Sequence, residues 1–468
     1  MSFTLVADTL PANPSILSFK VSITSIVLTL ATGTAQTLTP ATPVIDLMRL
    51  QSDTAFLGSL AAVPAGAYTV QMSLSSPEIA FLNDTSSTIT AGSTSCAVSA
   101  VCSSTLTATG TPTISSFTFT ATSSGKQGIE LDFNLANAIS LSNGTLSVNF
   151  TPSAPSPGVL TAFTLPRQNA NLGSNQLELI EDFVGVVSLN GNNVTVTSPT
   201  RGAITAVNGS ASFFDASPDS TMCQTPATFS CVANGQAASV DAFLNSDGTL
   251  SLKEFEPLVA TQQDLIEGIV YTVSGTIPQF GIVVTDEIRA ASSSLIGSVN
   301  TGDLLTVNIP APQPFFVDQK GLPVSNISGS FVNFAGQTSV SAIHPGQTVA
   351  VHVTNFTAAS GVIPASVIAD TVTLRWSRVT AGDVNNSGIT LVNVNAVPSY
   401  FGFTSASIFA TQVFSGTQGA DGVTNVDGIA NGGLPSPSPP PVALRVLYLQ
   451  NSTNSSTLPF MAAKIRQH

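Results

Sequence analysis

The sequence predicts an all-β protein: an N-terminal β-sandwich of the immunoglobulin or transthyretin kind, followed by about three small β-barrel-like units. Apolar and polar residues alternate with period two through the stretches that read as strands, and residues rich in Asn, Asp, Gly and Pro separate them. In the N-terminal third no 3.6-residue periodicity lasts long enough for a long helix. Residues 235–258, GQAASVDAFLNSDGTLSLKEFEPL, show the pattern complete. Val240, Ala242 and Leu244 alternate with their neighbours, Asn245 to Gly248 supply the turn, and Leu250 and Leu252 resume the alternation, which predicts a hairpin. Gly-Gln followed by an alternating run returns at residues 346–353, GQTVAVHV, and a third run stands at residues 442–449, VALRVLYL.

Taken in order, residues 3–8, FTLVAD, open a strand that Pro11 and Pro14 end. Phe19, Val21 and Ile23 begin a long run whose phase slips to Ile26, Leu28 and Leu30, which predicts a bulge near Ser25. Residues 44–50, VIDLMRL, read as a short helical or irregular turn, and Tyr68, Val70, Met72 and Leu74 as one face of a strand. Further strands are expected at residues 115–122, 128–134 and 145–150. The sandwich is assigned residues 1–155 and a linker residues 156–180; the barrel-like units then occupy 181–262, 263–378 and 379–468. Unequal spacing between the copies argues for independent barrels with variable loops rather than a regular solenoid.

VIDLMRL followed by VPAGAYTVQMSL, and later IELDFNL, resembles the N-terminal sandwich domain of a family of bacterial secreted proteins and lipoproteins of unassigned function. The downstream units, with their turn, alternating strand and Asp-Gly hairpin, resemble small β-barrel domains of unassigned function that often follow it. The resemblance covers most of the chain and implies fold and an extracytoplasmic setting. It carries no catalytic residues.

Only 8% of the 468 residues are charged, against about a quarter in an average soluble protein. Ser, Thr, Asn and Gly must therefore provide most of the polar surface. A formal net charge of -13 without any Lys/Arg cluster argues against nucleic acid as a partner. The apolar stretch 16–30 holds Lys20 and several Ser and Thr residues, so it reads as strand and not as a bilayer span. Met1 is not followed by a charged region and an uninterrupted apolar run, so no signal segment is read there.

Four cysteines fall in two close pairs, Cys96 with Cys102 and Cys223 with Cys231. The spacing suits local disulfides and hence an extracytoplasmic protein, with reduced thiols or a zinc site as the alternatives. Asp383, Asn385 and Ser387 match positions one, three and five of a calcium loop, but position twelve is Val394, and an Asn-rich hairpin turn is the competing reading. Asp421 and Asp427 offer a further irregular calcium candidate within a Gly-rich stretch. No cofactor is expected.

Glu178 with Glu181, and Glu254 with Glu256, form carboxylate pairs of the kind glycosidases use, and are read as solvated strand residues. His344 and His352 lack a recognisable Ser or Asp partner pattern and are expected on the surface. Trp376 and four tyrosines leave few rings for a carbohydrate platform, while the 26 phenylalanines suit a core. Asn-x-Ser/Thr triplets, Asn83 and Asn143 among them, permit glycosylation where the source modifies such sites.

The function expected is that of a non-catalytic, structural or adhesive component at a bacterial surface. A module binding surface polysaccharide or calcium is the alternative. Five lysines are too few to guard many sheet edges by charge. The segment Ser2, Phe3, Thr4, Leu5, Val6, Ala7 and Asp8 is a short strand beside a Pro-containing hinge, and is the candidate for completing a sheet of the next subunit, giving a head-to-tail filament.

Overall fold

A computed structural model gives the fold. It describes the chain except residues 9, 12, 42, 121–126, 152–157, 167–171, 210–212, 215–228, 262, 275–278, 291–292, 311–314, 319–342, 362, 382, 387–390, 396–404, 410–424, 428–441, 449–459 and 468. The described elements are β-strands apart from two 3-10 turns and one four-residue helix, Leu135–Ala138, which Asn134 caps by accepting a hydrogen bond from the Asn137 N–H.

The N-terminal domain packs two main sheets over one core. One sheet runs Leu160–Leu165, Gly128–Asn134, Ser2–Asp8, Ala55–Ser59. The other runs Val101–Thr105, Glu78–Leu82, Ser15–Leu30, Gly66–Leu74, Thr113–Phe119. Alternation sets their inner faces: Phe19, Val21, Ile23, Ile26 and Leu28 all enter the core, and the slip of phase is a register break between Ile23 and Ser25. Ser2–Asp8 is an inner strand, parallel to Gly128–Asn134 and antiparallel to Ala55–Ser59, with Phe3, Leu5, Val6 and Ala7 fully buried. Because Leu160–Leu165 belongs to this sheet, the sandwich reaches ten residues past position 155.

Residues 44–54 are the exception to strand geometry. Val44–Asp46 pairs with Ser15–Leu30, then the chain turns through the 3-10 segment Arg49–Gln51. The Asp46 carboxylate holds this turn by accepting from the Phe19 and Met48 N–H groups at 2.8 and 3.0 Å. Everything from Ile45 through Thr54 is buried, charged residues included.

Three barrels of one topology follow. The first begins at Gln176, inside the expected linker, with the long strand Gln176–Asn190; it continues through Asn193–Ser198 and Gly202–Val207 to the hairpin Gln236–Asn245 and Leu250–Thr261. The long strand pairs with both Asn193–Ser198 and Gln236–Asn245, and a parallel pairing of Gly202–Val207 with Leu250–Thr261 closes the ring. Gly185 lets the wall close tightly, since a Cβ there would stand 2.5 Å from the Thr197 carbonyl oxygen.

The second barrel repeats this order with Leu265–Ser274, Gln279–Ile288, Leu304–Asn308, Thr348–Thr357 and Ala365–Arg375, again closed by a parallel pair. In the third the first strand is divided into Ser377–Ala381 and Asp383–Asn386, followed by Leu391–Asn395, Ser405–Phe409, Val442–Tyr448 and Phe460–Gln467. Each barrel also carries one short strand parallel to its last: Phe213–Phe214, Phe315–Val317 and Asn425–Asp427. Closure removes the exposed edges that a chain poor in lysine cannot guard by charge.

Candidate functional site

Many of the charged residues of this sparsely charged chain are gathered where the four domains meet. Their positions follow from strand alternation. In the first barrel Phe183, Val240 and Phe255 lie side by side and point inward, so Asp182, Asp241, Glu254 and Glu256, one residue away, point out of the barrel. In the second, Val349 and Leu374 point inward and Arg375 outward. Those outward faces are buried nonetheless, because the other domains cover them.

Arg375 engages several carboxylates at once. Its Nη1 donates to Asp318 Oδ2 at 2.6 Å and Glu256 Oε2 at 3.0 Å, and its Nε to Glu267 Oε2 at 3.3 Å. Trp376 Nε1 donates to the same Asp318 oxygen at 3.0 Å, and the Arg445 guanidinium lies 5.7 Å from the Trp376 ring centroid. Arg445 bonds Asp182 and, at 3.4 Å, Glu181. The buried 44–54 segment of the sandwich contributes both signs. Arg49 Nη1 donates to Asp286 at 2.9 Å and its Nη2 to the Asp182 carbonyl. Asp53 accepts from Arg378 Nη2 at 3.0 Å, while Arg466 donates to the Asp53 carbonyl at 2.8 Å and to Thr54 Oγ1 at 2.6 Å. Arg201, stacked on Phe183 with its side chain 14% exposed, completes the set by donating to Asp286 at 2.9 Å.

The electrostatics are those of paired, desolvated ions. Burial pulls the Arg375 pKa down, but Asp318, Glu256, Asp182 and Glu267 outweigh it and raise it well above the usual arginine value. Burial pushes the Asp53 carboxyl up, and Arg378, Arg445 and Arg49 more than reverse this, holding it at about 2. Asp46 goes the other way, raised by burial despite its hydrogen bonds from Phe19 and Met48.

Glu287 stands at the rim of this cluster, and burial together with the Asp286 charge pushes it up to about 8. A carboxyl whose folded pKa lies above its unfolded value contributes stability that is fully present below the unfolded value, near 4.5, and is lost as pH rises toward 8. Glu287→Gln is therefore expected to flatten the fall in unfolding free energy between those values. Chemical denaturation at a series of pH values reads the difference, and a variant whose stability declines as steeply as the parent's contradicts it.

Several expected sites are placed differently by the structure. Glu178, Glu181, Glu254 and Glu256 are all buried, so the reading as solvated carboxylates is overturned; Arg445 of the third barrel lies on Glu181 and Arg375 of the second on Glu256. His352 has an acidic partner after all, its Nδ1 lying 2.6 Å from Asp370 Oδ1. His344 is half-buried against Tyr448, and desolvation lowers its pKa. Asn83 is wholly buried, donating to the Ser87 and Cys96 carbonyls at 2.9 Å, which removes it from the glycosylation candidates.

Cys96 and Cys102 form a disulfide; the Cys223–Cys231 pairing lies outside the described residues, since Cys223 is not among them. Asp383 and Asn385 sit in an extended strand in register with Asn395 and Asn393, where a calcium loop would have to curl. Asp427 ends the strand Asn425–Asp427, and Ser387 and Asp421 lie outside the described residues. Among the described residues no cluster of His, Cys, Asp and Glu has metal-binding geometry, and no helix is long and apolar enough to cross a membrane.

No family model, no curated protein and no solved structure matches this chain.

Proposed function

We propose that the protein is an extracytoplasmic, non-catalytic structural or adhesive component of a cell surface, the subunit of a filament assembled by strand exchange. One observation supports this reading above the others. Ser2–Asp8 fills a slot between Gly128–Asn134 and Ala55–Ser59, and Ala55–Ser59 has no other strand partner among the described residues. A slot of that kind accepts the same seven residues from a second copy without any new contact chemistry. The disulfide fits an oxidising compartment, as does the resemblance to bacterial secreted proteins. The hub carboxylates and arginines neutralise one another across domain boundaries, which suits a rigid building block.

Light scattering and electron microscopy of the full chain over a hundredfold range of concentration test the proposal. Elongated polymers of uniform width are expected, whereas a monomer throughout the range argues against it.

A further inference from the structure

The three barrels can be aligned residue by residue through their registers. Phe183, Val240 and Phe255 are neighbours in the first; Gly268, Val349 and Leu374 in the second; Val379, Leu444 and Ile465 in the third. Six positions per barrel lie one step from these anchors, and three equivalent ones carry most of their charge. The first barrel holds Asp182, Asp241 and Glu256, the second Glu267, Ala350 and Arg375, and the third Arg378, Arg445 and Arg466. The same face is thus all acidic, then mixed, then all basic. Of these nine, only Ala350 is uncharged, and it packs with Val184 and Ala237 of the first barrel.

We infer that this face is a barrel-docking surface, and that its charges are a code fixing which barrel lies against which. The contacts made by these positions obey it, while Arg201, in a turn of the first barrel, adds a pair to Asp286 of the second. The acidic first barrel meets Arg375 of the second through Glu256 and Arg445 of the third through Asp182. The second and third barrels meet through neutral groups instead: the Thr348 N–H donates to Ser377 Oγ at 2.9 Å, and Gln347 Nε2 to the Tyr448 carbonyl at 3.0 Å. The sandwich offers both signs, Arg49 to Asp286 of the mixed second barrel and Asp53 to Arg378 of the basic third. Two like faces brought together would bury uncompensated charges of one sign, whose desolvation nothing would offset. Barrels of one topology are thereby kept from exchanging places, within a chain or between chains.

This inference stands apart from the assembly reading, because it concerns the C-terminal barrels and is read out in unassembled chains. Arg445 of the third barrel lies directly on Asp182 and Glu181 of the first. Arg445→Glu turns that contact into like charges, whereas Arg445→Lys keeps its sign. In the full chain the Glu variant is expected to lose at least a hundredfold in the folding equilibrium constant, and at least tenfold more than the Lys variant. A Glu variant as stable as the Lys variant overturns the code.

A gentler pair guards against failure to fold. Asp182 adopts a positive φ of 50°, which Asn also tolerates, so Asp182→Asn with Arg445→Gln forms a double-mutant cycle. A coupling of tenfold or more is expected, and a coupling below twofold contradicts the proposal.

Discussion

Arg375→Ala is expected to cost about 3–5 kcal/mol of stability, the range for removing one partner of a buried ion pair. The loss arises less from the missing contacts than from what stays behind. Glu256, Glu267 and Asp318 would all remain buried with their principal cation gone, in a junction that water reaches poorly. Arg375→Lys should rescue only part of this, since a single ammonium on a flexible stem cannot reproduce the Nε and Nη1 bonds together. Arg375→Met should fare no better than alanine, because a hydrophobic replacement succeeds only when the acids are replaced as well. Denaturant unfolding of the three variants measures this, and an alanine variant within 1 kcal/mol of the parent would show that the hub is not a stabilising junction.

Removing residues 1–12 is the second large effect. It takes Phe3, Leu5 and Val6 out of the core, each contributing about 1.5–3 kcal/mol by burial, and leaves Ala55–Ser59 without its strand partner. The truncated sandwich is expected to be unstable and unable to polymerise. A peptide of residues 1–12 supplied in excess should restore its unfolding midpoint and leave it monomeric, because the slot is then filled by a strand that carries no following domain. Polymers that persist undiminished without the strand would rule the mechanism out.

Much of the fold was legible because alternation is a local signal. The hairpin of residues 236–261, the bulge at Ile23–Ser25 and the strand Gly128–Asn134 all follow from which neighbours are apolar. Barrel-like units were expected, but the pairings that close them were not legible, since Leu305 with Ala365 joins residues far apart in sequence and leaves no local trace. The hub was missed for a related reason. Glu256 and Arg375 look like ordinary outward strand residues, and only the packing of one barrel on another buries them. A signal did exist: in a chain with 8% charged residues, arginine stands inside the apolar strands LRW, ALRVL and KIRQ, positions where a solvated face would more readily carry Ser or Thr.

Strand exchange itself is tested most directly by a covalent trap. Ser2 Oγ and Ser59 Oγ lie 2.9 Å apart across the slot, so cysteines at both positions would be placed to join on oxidation. In assembled material the strand filling each slot belongs to the neighbouring chain, and a ladder of covalent multimers is expected on a denaturing gel without reductant, collapsing to one band when reductant is added. A single band of internally cross-linked monomer from material that electron microscopy shows to be filamentous would contradict strand exchange.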